Sequence, residues 1–304
     1  MSQPVLSIII PSYQRGDLLA ACLHSIEKTA QLSQLQVIVV DDASPEKSIS
    51  HCASRYSWVT CILQGRRQGF CAAVNAGLRL AKAEVVQVLN DDTEVLPNWY
   101  PAAIKRFRED PTLGSVAPLV LCWNQPAVID SAGDGYDHGG YAYSHGKGHL
   151  LTSKWLQARD VQSASACAAF YRRTALLKVG GFPEEFVAYF DDLEVGLKLG
   201  KTGYRCVYEP ECRVLHHGSA SHRTVPRRQL TQQIACNEER LFCRHASCGR
   251  HWLRHGGIIC MKALRRMREG MLVPFLLGRS KAWWEHFIVA RPRPMAANQS
   301  TGLP

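Results

Sequence analysis

The chain has 304 residues, 46% of them hydrophobic, and a formal net charge of +10. That length and globular composition fit one large domain, or a domain with an appendage. No apolar run approaches the ~20 residues needed to span a bilayer, which excludes a helical membrane-spanning protein.

The charge is uneven. Residues 1–222 carry 21 Lys and Arg against 22 Asp and Glu, whereas residues 223–304 carry 15 against 4. The basic excess therefore belongs to the C-terminal segment, and it points to an anionic partner there beside a near-neutral body. The 12 cysteines are scattered, with no Cys-x-x-Cys pair, and Cys22, Cys71 and Cys167 fall on apparent helix or core positions. They read as reduced, buried small residues of a cytosolic protein rather than as zinc ligands or disulfides. The opening MSQPVLSIII runs almost at once into a strand, so no signal peptide is expected.

Strands and helices alternate from the start. Val5–Ile10 is a β-branched run, and Asp17–Thr29 follows with helical spacing at Leu18, Leu19, Cys22, Leu23 and Ile26. Gln36–Val40 and Val59–Leu63 are further strands, Phe70–Ala81 is a helix, Val85–Leu89 a fourth strand, and Pro97–Phe107 a helix. Continuous apolar strands in βα units predict a mostly parallel sheet with helices on both faces. Val116 to about Leu151, with GDGYDHGGYAYSHGKG, reads as a loop or hairpin excursion. Then come a small-residue strand (Ala164–Tyr171), a helix (Thr174–Val179), Gly180-Gly181-Phe182, an acidic cluster leading an amphipathic helix, and a strand over Arg213–His216. The tail, Arg227–His245 and Arg250–Met271 followed by Leu272–Leu277 and Trp283-Trp284, reads as basic helices.

In such sheets ligands bind at the carboxyl ends of the strands. Pro11-Ser12-Tyr13, Asp41-Asp42 and Asn90-Asp91-Asp92 each follow a strand, so all three should line one crevice. Carboxylates at a strand tip repel each other unless a cation intervenes, and hard oxygen ligands suit Mg²⁺ or Mn²⁺. A helix N-cap using Thr93 and Pro97 explains Asn90-Asp91-Asp92 as well, and turn chemistry explains Asp41-Asp42; the residues alone leave these open. A dinucleotide fold is excluded, because PSYQRG follows the first strand in place of Gly-x-Gly-x-x-Gly, and no P-loop occurs.

Six ordered blocks, SIIIPSYQRGDLLAACLHSI, VIVVDDASPE, QGFCAAVNAGLRLA, VVQVLNDDTEVLPNW, KVGGFPEEFVAYFDDLEVGLKLGKTGY and VLHHGSASH, resemble family 2 glycosyltransferases of the GT-A fold over about residues 5–222. The resemblance implies roles. Pro11 and Tyr13 would border the nucleobase, Asp41 would accept the N3–H of uracil or thymine, and Asp42 would sit near the ribose or diphosphate. Asn75, with Arg79 and Gln68, lies on the segment that faces the nucleotide. Asn90-Asp91-Asp92 takes the place of the Asp-x-Asp-type motif, with Asp92 a metal ligand and Asp91 facing the donor's ribose or sugar. His216, followed by Gly218, Ser219 and Ser221, would complete the metal or diphosphate site, with His217 exposed or behind it. In Asp191-Asp192, where the family usually has Glu-Asp, Asp192 is the base by register and Asp191 binds acceptor or tunes it. An acidic first helical turn is also favourable on dipole grounds alone.

The activity implied is a metal-dependent, inverting transfer of the hexosyltransferase type, from a UDP- or dTDP-sugar to a saccharide or lipid-linked acceptor. The order of the tail and the Gly-rich block look most like rhamnosyltransferase-type members that build surface polysaccharide. Two alternatives stand beside it. A sugar nucleotidylyltransferase would carry a Gly- and Arg-rich loop after the first strand, absent here, and an inactive nucleotide-sugar-binding protein is opposed by intact Asp92 and Asp192. For the basic tail, a solvated surface, nucleic acid and an anionic membrane surface are the readings. No nucleic-acid motif accompanies the charge, while Arg265, Arg266 and Arg268 before MLVPFLLG, with Trp283-Trp284, favour the membrane. The expected organisation is a GT-A domain over 1–222 and a basic helical region over 223–304, in a cytoplasmic protein that can lie peripherally on the membrane.

Overall fold

In the computed structural model, which describes residues 3–137, 139–218, 225–246 and 249–289, the βα alternation forms as the sequence predicts. β1 (Leu6–Ser12), α1 (Gly16–Thr29), β2 (Leu35–Asp41), α2 (Ser48–Ala53), β3 (Val59–Leu63), α3 (Phe70–Leu80) and β4 (Val85–Val88) succeed one another. β5 (Thr93–Val95), α4 (Pro101–Glu109), β6 (Leu113–Cys122), β7 (Gln125–Ser131), β8 (Asp134–Tyr136), β9 (Ala142–Ser144), β10 (Arg159–Val161) and β11 (Phe170–Arg172) follow. Then come α5 (Arg173–Lys178), α6 (Asp191–Lys201), β12 (Arg205–His216), α7 (Arg227–His245), α8 (Gly249–Arg268) and α9 (Leu272–Trp284).

Unbroken apolar strands mean burial on both faces, and the alternation of side chains divides β1 between two cores. Ile9 packs with Ile38, Val88 and α3, whereas Leu6, Ile8 and Ile10 pack with Leu19, Leu23 and Ile26 of α1. α3 lies so close to β1 that a Cβ on Gly77 would stand 2.4 Å from Ile9 Cγ2. The sheet order is β10-β12-β6-β11-β4-β1-β2-β3, with β5 on β12 and β7 on β6.

That order explains the site. β4, β1, β2 and β3 are mutually parallel, β6 and β12 are parallel to each other, and β11 runs antiparallel between β4 and β6. The carboxyl ends of β1, β2, β4, β6 and β12 therefore reach one edge. Thr93 of β5 pairs with His216 at the end of β12, which brings the acidic motif after β4 to that histidine.

Several boundaries depart from the sequence reading. Residues 113–122 are a central buried strand, not part of an excursion, and only 123–151 form the edge strand and hairpin. The strand expected over 164–171 is confined to Phe170–Arg172. Thr93 belongs to a strand, and the helix after it starts at Pro101 instead of Pro97, so the N-cap account of Asn90-Asp91-Asp92 fails. The described cysteines are all free; most are buried, but Cys61 and Cys260 are exposed.

The tail is helical as expected, and much of its charge is used internally. Arg240 pairs with Glu285, Arg279 with Glu238 and Glu239, and Arg244 with Glu185 and Glu194. Among the described residues no helix is long and apolar enough to cross a membrane.

Candidate active site

Two adjoining cavities open at the sheet edge and share Phe70, Ala188 and Tyr189. The smaller, of about 290 Å³, is lined by Pro11, Ser12, Tyr13, Arg15, Asp42 and Arg67 among others. The Arg67 guanidinium lies 4.0 Å over the Tyr13 ring. Asp42 accepts hydrogen bonds from the backbone N–H groups of Gln68 (2.7 Å) and Gly69 (2.8 Å). Gly69 has φ +93°, and a Cβ there would stand 2.6 Å from Val187 Cγ1, so glycine is required.

Two predicted donor residues lie elsewhere. Asp41 is fully buried beneath this cavity, where its carboxylate accepts from Ser44 N (2.8 Å), Ser50 N (3.1 Å) and Ser50 Oγ (2.7 Å). It organises the turn after β2, and Asp42 is the carboxylate that faces the cavity. Asn75 is likewise spent on structure: it accepts from Phe182 N (2.9 Å) and donates to Phe182 O (2.9 Å) and Glu184 Oε1 (3.0 Å), bracing α3 against the Gly180-Gly181-Phe182 turn. Neither residue lines a cavity described here, and Arg79 is exposed on the same helix.

The larger cavity, of about 760 Å³, is lined by Asn90, Asp92 and His216, by Asp191 and Asp192, and by Asp130, Asp134 and Lys147. Asp91 is not a lining residue; it accepts from Ser12 Oγ (2.5 Å) and pairs with Arg15. Its expected contact with ribose or sugar is thus blocked by its own partners. Burial, only partly offset by Arg15 and Ser12, pushes the Asp91 carboxyl up to about 7. Asp92 behaves oppositely: burial would raise it, but His216 and Arg15 (3.1 Å) hold it below the usual range.

His216 Nδ1 meets Asp130 Oδ2 at 2.8 Å, and its Nε2 stands 3.4 Å from Asp92 Oδ1. Burial would lower this imidazole, but the flanking carboxylates push it up to about 9. His217 turns away, bonding Glu94 (2.9 Å) and stacking on Trp123 at 4.3 Å. Ser219 and Ser221 lie outside the described residues.

A divalent cation fits Asp92 and His216 in part. Asp92 Oδ1 is buried, accepts no hydrogen bond and faces the His216 nitrogen, a hard oxygen beside an imidazole. Among the described residues no three His, Cys, Asp or Glu side chains form a ready cage. Mg²⁺-type sites commonly use one or two carboxylates and take their remaining ligands from water and substrate phosphate, so the pair is compatible with a site completed by a diphosphate.

The second acidic pair opens α6, preceded by three non-glycine residues with positive φ: Val187 (62°), Tyr189 (72°) and Phe190 (63°). Such backbone persists only where its surroundings over-determine it. Here Asn237 of α7, fully buried, donates to Phe186 O (2.9 Å), Ala188 O (2.8 Å) and Tyr189 O (2.9 Å). Gln233 adds a bond to Phe186 O, and Arg240 one to Glu185 O. Asp192 is half-buried and accepts from Leu193 N (2.8 Å) and Ala166 N (3.2 Å), while Asp191 Oδ2 is buried without a partner. Burial raises both carboxyls, and the neighbouring charge of Asp192 helps push Asp191 up to about 8. Asp134, buried and bonded by Ser144 and Ser131, is pushed up to about 7 by burial and by Asp192.

Sequence reasoning missed Arg15, Asp130, Asp134, Lys147 and Asn237. Arg15, in PSYQRG directly after the first strand, is a readable signal, a cation at the same sheet edge as Asp91 and Asp92. Asp130 and Asp134 lay in the block taken for a loop, and nothing local marks Asn237.

The model of the family described as "Glycosyl transferase family 2" matches residues 7–180. An uncharacterized protein, y4gI, of Sinorhizobium fredii is 29% identical over 242 residues, 74% of this chain; the chain spans only 26% of that relative's length. The N-acetylglucosaminyl-diphospho-decaprenol L-rhamnosyltransferase of Mycobacterium tuberculosis is 24% identical over 302 residues, covering 91% of this chain and 95% of the relative. Among solved structures, GalNAc-T7 with UDP, GalNAc and Mn²⁺ aligns with a TM-score of 0.61 at 18% identity, over 79% of this chain and 48% of that one. The mannosyltransferase PcManGT of Pyrobaculum calidifontis, with GDP-Man and Mn²⁺, gives 0.58 at 17% identity, over 94% and 88%. At these identities the structural likeness shows the fold, that of GT-A glycosyltransferases.

Proposed function

The chain belongs to glycosyl transferase family 2, and from that premise we propose that it moves a sugar, with inversion, from a UDP- or dTDP-sugar to a hydroxyl of a saccharide or lipid-linked acceptor. The observation that carries this reading is the larger cavity, which Asp92, His216, Asp191 and Asp192 line together. In this reading Pro11, Tyr13 and Asp42 border the nucleoside. Asp41 and Asn75 support that region from behind, and Asp91 sets Arg15 and Ser12. Asp92, and His216 once its imidazolium gives up its proton, would hold Mg²⁺ or Mn²⁺, whose charge would offset that of the departing diphosphate.

Asp192 then removes the proton of the acceptor hydroxyl. A base with a raised pKa suits this task, and burial supplies the raise against the hydrogen bonds from Ala166 and Leu193. The hydroxyl attacks the anomeric carbon from the face opposite the breaking C1–O bond, so one displacement inverts the configuration. The catalytic body is residues 1–222, and the helices α7, α8 and α9 of the segment after it support that body. The M. tuberculosis relative, whose name gives a diphospho-decaprenol acceptor, supports a place in cell-surface polysaccharide synthesis and a protein working at the cytoplasmic membrane face.

The test is a panel of nucleotide sugars scored by donor hydrolysis and thermal stabilisation, then calorimetry of the matching nucleoside diphosphate with Mn²⁺ or in EDTA. Mn²⁺ is expected to tighten binding in the wild type and to leave Asp92→Ala unchanged. Equal affinity in EDTA would overturn the metal's role, and no response to any nucleotide sugar would overturn the donor class.

A further inference from the structure

The two last helices are turned inside out. On α9 the inward face is Phe275, Gly278, Arg279 and Ala282, packed on α7, where a Cβ on Gly278 would stand 2.2 Å from Gln232 O. The opposite face carries Val273 (67% exposed), Leu276, Leu277 and Trp284 (59%), all within an arc of about 100° at 100° per residue. α8 repeats the pattern. Leu253 (81% exposed), Met261 (66%), Leu264 and Met267 fall within about 120° of one another; Arg254 and Arg265 run along one side of that stripe, and Arg250 and Arg268 lie on it at the two ends of the helix. A helix in a water-soluble protein normally shows the reverse arrangement.

α8 packs against the segment that carries two lining residues of the larger cavity, Tyr141 and Tyr143. Its Arg254 pairs with Asp137 (2.7 Å), its His255 bonds Gly139 O (2.8 Å), and its Lys262 lies 5.7 Å over the ring of Tyr141. Tyr141 and Tyr143, on the β8–β9 hairpin, line the cavity and are both about half exposed.

We propose that the outer faces of α8 and α9 dock on an anionic lipid surface and so bring a lipid-anchored acceptor to the cavity across the β8–β9 hairpin. Apolar stripes flanked by arginines, with tryptophan beside them, have the chemistry of helices that lie in the headgroup boundary. A second copy of this chain fits less well, because the exposed Arg250 and Arg268 on the stripe of α8 would face themselves. The purpose assigned to this face rests on the transfer reaction proposed above; its test does not.

The full-length protein is sedimented with vesicles of phosphatidylcholine alone or mixed with phosphatidylglycerol, without donor or acceptor. Binding to the mixed vesicles that weakens with salt is expected. The double substitution Leu253→Glu/Leu264→Glu should lower it by about tenfold or more, as should Val273→Glu/Trp284→Ser on α9, with unchanged melting temperature and donor hydrolysis. Absence of binding to mixed vesicles, binding unaffected by both pairs of substitutions, or a dimer by light scattering that these substitutions dissolve would each overturn the proposal. Vesicle binding by a protein that hydrolyses no nucleotide sugar would sink the donor reading and leave this face standing.

Discussion

Asp92 and Asp192 are the second members of two Asp-Asp pairs that meet at one crevice, and their neighbours give them opposite characters. The first pair is surrounded by cations: Arg15 reaches both carboxylates, and His216 stands at Asp92. Asp92 is consequently held ionised, ready to bind a positive charge. The second pair opens a helix, receives backbone N–H groups at Asp192 and, among the described residues, pairs with no cation; both of its carboxyls are raised. Ligand and base need these different settings. A ligand must stay charged, whereas a base works best when its affinity for the proton approaches the working pH.

The sharpest way to break the comparison is to neutralise one member of each pair. Asp192→Asn is expected to lower kcat by about 10²–10⁴-fold with little change in nucleotide affinity, as loss of a general base would. Asp191→Asn should cost less. If Asp192→Asn retains near-normal turnover in a steady-state transfer assay while Asp191→Asn does not, the two roles are exchanged.

A second prediction separates chemistry from positioning. Asn237 is not itself a lining residue of the cavity, but its amide holds three carbonyls of the left-handed turn that aims the second pair. Asn237→Ala leaves those carbonyls short of a buried partner, at a cost of roughly 1–3 kcal/mol. Melting temperature and kcat should fall together while KM for the donor changes little. A fall in stability alone would make Asn237 merely structural.

The contrast was only half legible in the sequence. β1 to β4 could be read because strands buried on both faces are unbroken apolar runs, and strand ends advertise their acidic tips. β6 was obscured by Gly114 and Pro118 within it and by the Gly- and Tyr-rich block after it. Asp41 and Asp42 show a different limit. They are sequence neighbours at the end of one strand, and their positions alone do not say which is turned under the turn and which faces the cavity. Partners far away in the chain are harder still: Asp130 meets His216 across 86 residues, and Asn237 meets Phe186 across 51. Nothing periodic or local encodes those pairings.

The smallest expected effect tests the raised pair without any substrate. Asp191 has an ordinary value of 3.8 and is pushed up to about 8 by burial and by Asp192. Between those pH values the folded protein holds a proton that the unfolded chain has released. Stability must therefore be greatest at the acidic end of the window and fall as pH rises toward about 8. Asp134, pushed up to about 7, adds in the same sense. Asp191→Asn removes one titrating group while keeping its shape, so the melting temperature should decline less between about pH 5 and about pH 8 than in the wild type. A difference of at least about 2–4 °C is expected, the shift that roughly 1 kcal/mol produces in a domain of 150–250 residues. Identical slopes in wild type and variant would mean that Asp191 ionises like an ordinary surface aspartate. The electrostatic contrast between the two pairs would then fail on the side assigned to proton transfer, whatever the kinetic assays show.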